Sequence, residues 1–108
     1  MKFIIGAHRL KLTDSLKNYS QKKLLEPLEK IVNSPGTRLT IKLSNIDSPK
    51  NKVNKRCHII LSAPHHKPVN ISTCDRSIYA AIDRAHHSAV RQVKRQRRRV
   101  NEQYRQVT

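Results

Sequence analysis

Acidic residues are scarce in this sequence. Seven Asp and Glu stand against 23 Lys and Arg in 108 residues, a formal net charge of +16. Such an excess repels itself in a compact state, and a polyanionic partner is the usual compensation. The acids are scattered, with no pair placed for acid–base work. Glycine is as sparse, and two residues cannot build a Gly-rich phosphate loop. Aromatic residues make up 4%, with no Trp and one Phe, so the core must consist mainly of Leu, Ile and Val. No aromatics interleave with the basic residues, which argues against stacking on single-stranded bases. Two cysteines, Cys57 and Cys74, do not make a disulfide scaffold and fit a cytoplasmic protein. No stretch approaches the ~20 apolar residues that span a bilayer. The N-terminal MKFIIGAHRL has one Lys and a short apolar block, well below a signal peptide. Catalysis, secretion and membrane insertion are all poorly served, and no cofactor is expected.

What the chain does have is a long basic amphipathic stretch at 75–104. At helical spacing Ile78, Ile82, Ala85, Ala89, Val93 and Val100 share one side. Arg84, His87, Arg91, Lys94, Arg95 and Arg98 share the other. One stripe serves a core, and the other is a dense cationic face. Asp75 reads as the N-cap. A helix of this length runs to about 43 Å, against a radius of gyration of about 13 Å for a domain of this size. Its last turns should project beyond the core. The apolar stripe is mostly Ala and Val, a poor anchor for a membrane surface.

The rest reads in order as strand, helix and three strands. Residues 2–6 form a short strand. Thr13-Asp14 is a helix start, with a hydroxyl cap and an acid in the first turn. Leu16, Ser20, Leu24, Leu28 and Ile31 line the helix that follows, and Lys22, Lys23 and Lys30 lie off that stripe. Pro27 should kink or restart it. Residues 37–46 alternate as a half-buried strand, with Leu39, Ile41 and Leu43 on one side and Arg38, Thr40, Lys42 and Ser44 on the other. A polar loop at 47–52 should be exposed and mobile. A hairpin at 55–73 turns through Pro64-His65-His66-Lys67-Pro68. Matching its inward sets pairs Ile59 with Thr73 and Leu61 with Ile71, which puts Cys57 on the core face and Cys74 on the opposite one, whereas a turn one residue shorter would flip the parity and let the two meet. This order gives an α+β, β-α-β-β-β-α two-layer sandwich: a four-stranded sheet with two helices on one face. The chain reads as a single domain over 1–108, with a basic helical extension at about 94–108.

Two segments carry a resemblance. Thr13-Asp14-Ser15-Leu16 with Tyr19, Lys23 and Leu24 resembles the segment that opens the first helix of the ribosome hibernation-promoting factor and ribosome-associated inhibitor A family. Ile78-Tyr79-Ala80-Ala81-Ile82-Asp83 is similar to that family's signature at the start of its last helix, and Arg91-Gln92-Val93 continues the pattern. The resemblance covers nearly the whole chain in order, in the short form and as a divergent branch. It implies a double-stranded-RNA-binding-domain-like fold. It further implies a protein that occupies the mRNA/tRNA channel of the small ribosomal subunit, blocks translation and preserves idle ribosomes. Carried over by position, its ribosomal RNA contacts fall on Lys23, Arg91, Arg95 and Arg97. Departures are Ser88 where many members have Lys, a longer loop at 47–54, a His-His-Lys-Pro hairpin tip and a heavier basic end at 94–99.

Geometry adds Lys22, Arg84, His87, Lys94 and Arg98 to those contacts. Cations on a rigid helix neutralise phosphates without reading base edges, which suits folded RNA recognised by shape. Six such contacts give log affinity a slope against log salt of roughly −4 to −5. The rival reading is a generic basic RNA- or DNA-binding module without ribosome preference. His65-His66 and His86-His87 do not form a metal site, since adjacent histidines diverge and no Cys or acid completes a ligand set. Tyr79 reads as a core-edge aromatic. The expected protein is a monomer that binds ribosomal RNA, with no membrane and no small-molecule substrate.

Overall fold

The computed structural model describes the backbone of residues 1–32, 34–46, 53–64 and 66–107, and side chains within these as far as Gln96. The elements are β1 (Lys2–His8), α1 (Asp14–Ser20), α2 (Glu26–Ile31), β2 (Arg38–Asn45), β3 (Lys55–Ser62), β4 (Val69–Asp75) and α3 (Ile78–Val107). A π-helical turn at Gln21–Leu25 joins α1 to α2, so the two run on as one helical segment. The sheet order is β1-β2-β3-β4, with β1 parallel to β2 and the other pairs antiparallel. The fold is the expected α+β sandwich.

Alternation decides which sheet face is covered. Leu39, Ile41 and Leu43 of β2, Cys57, Ile59 and Leu61 of β3, and Val69 and Ile71 of β4 are buried. Leu16, Leu24 and Leu28 meet them from the first helical segment. Ile78, Ala81, Ile82, Ala85, Ala89 and Val93 meet them from α3. Small Ala side chains at 81, 85 and 89, all fully buried, let the helix backbone lie close to the strands. Val100 falls outside the residues whose side chains are described.

The hairpin register differs from the sequence expectation. Ile59 pairs with Ile71, Leu61 with Val69 and Cys57 with Thr73. The offset is two residues, so every side chain keeps its face, because the side-chain period of a strand is also two. The connection is shorter than the matching of inward sets implied: Leu61 meets Val69, the first residue of β4, instead of Ile71. Cys57 is buried, Cys74 lies on the other face, and both are free thiols.

One helix feature also differs. Asp75 is not the N-cap of the last helix but the end of β4, and its carboxylate accepts from Arg76 N–H at 2.7 Å. The helical ladder begins with Ala81 N–H donating to the Ser77 carbonyl at 3.0 Å. Asp75 is held in the ladder by its pairing with Lys55, and the turn comes two residues later. At Pro27 the regular helix restarts, as expected: α2 begins at Glu26 with Pro27 in its first turn. The wide turn before it, in which Glu26 N–H donates to the Gln21 carbonyl, absorbs the ring and its missing donor. Thr13 caps α1 as expected, its hydroxyl accepting from Leu16 N–H at 3.2 Å. The expectation of a mobile loop at 47–52 lies outside the described residues.

Candidate nucleic-acid interface

The cationic stripe of α3 is solvent-facing. Arg84, His87, Arg91, Lys94 and Arg95 are all exposed, while the buried residues of the same turns touch the sheet. The helix gives them a rigid backbone, since its other side is fixed by Ile82, Ala85, Ala89 and Val93. Arg97 and Arg98 lie on α3, but their side chains fall outside the described residues.

These cations are not equivalent. Arg84 Nη1 donates to the Cys74 carbonyl at 3.0 Å and sits 3.7 Å from Asp75 Oδ2, so its guanidinium is partly committed to the end of β4. Among the described residues Arg91, Lys94 and Arg95 form no ion pair with an acid. Their charge is available to a ligand.

Lys22 and Lys23 stand on the π-helical turn, both exposed. Lys23 Nζ lies 5.8 Å from the centroid of the Tyr19 ring, within reach of a cation–π attraction. That Tyr19 is the centre of a clasp between the helices. Its hydroxyl donates to Asp83 Oδ1 at 2.6 Å, and its ring meets Tyr79 edge-on at 4.8 Å. Asp83 therefore faces the first helix, whereas its neighbour Arg84 faces β4.

The hydrogen bond to Asp83 and desolvation push the Tyr19 phenol up to about 12. The clasp went unforeseen from the sequence because its partners are 64 residues apart. The only signal was an acid on the α3 surface next to a cationic stripe. A second tie is the Thr73 hydroxyl, which donates to the Ala81 carbonyl at 2.6 Å and fixes β4 to the first turn of α3.

His86 and His87 stack edge-on at 5.1 Å, with His86 half-buried and His87 exposed. Among the described residues no three His, Cys, Asp or Glu side chains come together as a metal site. No helix among them is long and apolar enough to cross a membrane.

The architecture and this flank define a class: a small basic α+β domain suited to a polyanionic partner. Residues 3–101 match the family described as Sigma 54 modulation protein / S30EA ribosomal protein, and the chain belongs to that family of ribosome hibernation and subunit-interface factors. The chain is similar to the crystal structure of the Thermus thermophilus Protein Y N-terminal domain, at 30% identity and a TM-score of 0.69, covering 88% of this chain and 98% of that one. A ribosomal subunit interface protein from Coxiella burnetii has the same fold, at 18% identity and a TM-score of 0.69, covering 88% of this chain and 96% of that one. Among curated proteins none matches significantly.

Proposed function

We propose that this protein is a cytoplasmic hibernation factor that binds the small ribosomal subunit, occupies its mRNA/tRNA channel and silences translation while ribosomes are idle. The observation that carries this reading is the stripe of Arg91, Lys94 and Arg95, exposed and without acidic partners among the described residues, on a rigid helix in a chain of a ribosome-associated family. Lys22 and Lys23 provide a second patch, and Arg84, His87, Arg97 and Arg98 extend the first. The protein acts as a monomer, needs no cofactor and catalyses no reaction. Affinity comes mainly from neutralising phosphates, and shape decides location.

The test is co-sedimentation with small subunits, set beside binding to naked duplex RNA at matched salt. Ribosome preference that survives physiological salt supports the reading. Equal affinity for any duplex replaces it with a generic nucleic-acid binder. The double variant Arg91→Glu/Arg95→Glu should lose co-sedimentation and keep its fold, because both side chains are exposed. Unchanged binding by that variant removes α3 from the interface.

A further inference from the structure

The sheet has a second face that no helix covers. Its outward positions include Lys2, Arg38, Lys42 and Arg56, together with His8 and His58. No Asp or Glu occupies any of them. The described acids Asp14, Glu26, Glu29, Asp75 and Asp83 sit on the helices or against α3 instead. The helix side thus carries both signs and the open sheet face only one. Like charges gathered on neighbouring strands repel, and among the described residues no acid on the face offsets them.

The cations converge on a feature of the backbone. Gly6 pairs with Lys42, and Lys42 with His58, in one row across the sheet. The next row runs His8, Ser44, Arg56. Between them is a shallow basin of ≈ 370 Å³, bordered by Gly6, His8, Lys42, Ser44, Arg56 and His58. A Cβ placed on Gly6 would meet nothing within 4 Å, so the basin is open above the strand backbone. Two of the walls are held in place. Arg56 Nε donates to Ser72 Oγ at 2.8 Å, and its terminal nitrogens have no acidic partner among the described residues. His58 Nε2 is 2.6 Å from Asn70 Oδ1.

We propose that this open face is a second RNA-phosphate surface, with Lys42 and Arg56 flanking the Gly6 basin as its centre, so that the domain contacts RNA on both sides. The face carries no Phe, Tyr or Trp, and its His58 is tied to Asn70, so it is suited to gripping backbone more than to stacking bases. The proposal takes the identity of the natural RNA from the ribosomal reading above, but not its geometry.

The experiment measures binding of Lys42→Gln/Arg56→Gln and of Gly6→Glu, both to intact small subunits and to naked ribosomal RNA, across a salt series. Gly6→Glu keeps both cations and places an acid in space that is already empty, so it probes the basin without removing a wall. Loss of two phosphate contacts should make the slope of log affinity against log salt shallower by about 1.4 to 1.8. Gly6→Glu should weaken binding at every salt, with thermal unfolding unchanged in both variants. A slope and affinity equal to wild type on both ligands overturn the proposal. An effect on intact subunits alone also overturns it, because the face then meets an acidic ribosomal protein. If the wild-type protein binds naked RNA and subunits equally, the ribosomal reading fails, while a shallower slope for the variant on naked RNA still supports the second surface. Failure of wild-type to bind either ligand overturns both.

Discussion

The Tyr19 hydroxyl donates to the Asp83 carboxylate at 2.6 Å, joining the first helical segment to α3 across 64 residues of sequence. Tyr79 closes on the same ring from the preceding turn of α3. This clasp sets how the two helices share the sheet, and so how the cations of each are presented.

Its pH dependence has a definite sign. The Tyr19 phenol is raised from 10.0 to about 12, first by the hydrogen bond to Asp83 and then by desolvation. The folded protein holds the proton more tightly than the unfolded chain. The contribution is therefore complete below pH 10 and is lost as pH rises from 10 to about 12. Tyr19→Phe should lower stability by about 1 kcal/mol. Thermal unfolding of the pair should show a gap below pH 10 that closes toward pH 12. A gap that persists at the alkaline end would mean that packing, not the proton, carries the difference.

The two cysteines should react differently. Burial pushes the Cys57 thiol up to about 12, and the residue is fully enclosed. The reactive species is the thiolate, so Cys57 should be inert in the native protein. Cys74 is partly exposed on the open sheet face. A thiol reagent followed by mass spectrometry should label Cys74 alone under native conditions and both cysteines in denaturant.

Core substitutions should separate space from area. Ala85 is fully buried where α3 lies on the sheet, and Ala85→Leu should cost about 1 to 3 kcal/mol by forcing the layers apart. Leu24→Ala should cost about 2 to 5 kcal/mol by leaving a cavity. Denaturant midpoints measure both. A neutral Ala85→Leu would show that the helix can lift without loss.

The α3 cations should rank in a stated order. Arg84 is tied to Cys74 and Asp75, so Arg84→Gln should weaken RNA binding less than Arg91→Gln or Arg95→Gln. Filter binding at one low salt concentration compares all three. Equal losses would show that the tie breaks on binding.

Much of this was legible locally. The helix and strand periods of Leu39-Ile41-Leu43 and Ile82-Ala85-Ala89 identify the buried faces, because the direction of a side chain depends only on its place in its own element. The Thr13 cap is equally local. The α3 cationic stripe was readable for the same reason. The clasp at Tyr19 was not, and neither was the commitment of Arg84, since both depend on which residue a distant segment brings opposite.

The sequence by itself therefore determined the element order, the faces, the charge and the family resemblance. Only the tertiary structure decided that Ile59 meets Ile71 rather than Thr73, and that β1 lies parallel to β2 at the sheet edge. It also decided that Asp75 ends a strand instead of capping a helix. A shift of two residues leaves every face unchanged, so periodicity cannot see it; turn length and cross-strand packing fix it. The same pairing gathers Lys42, Arg56 and His58 around Gly6 from three strands, a cluster that exists only once those strands are aligned.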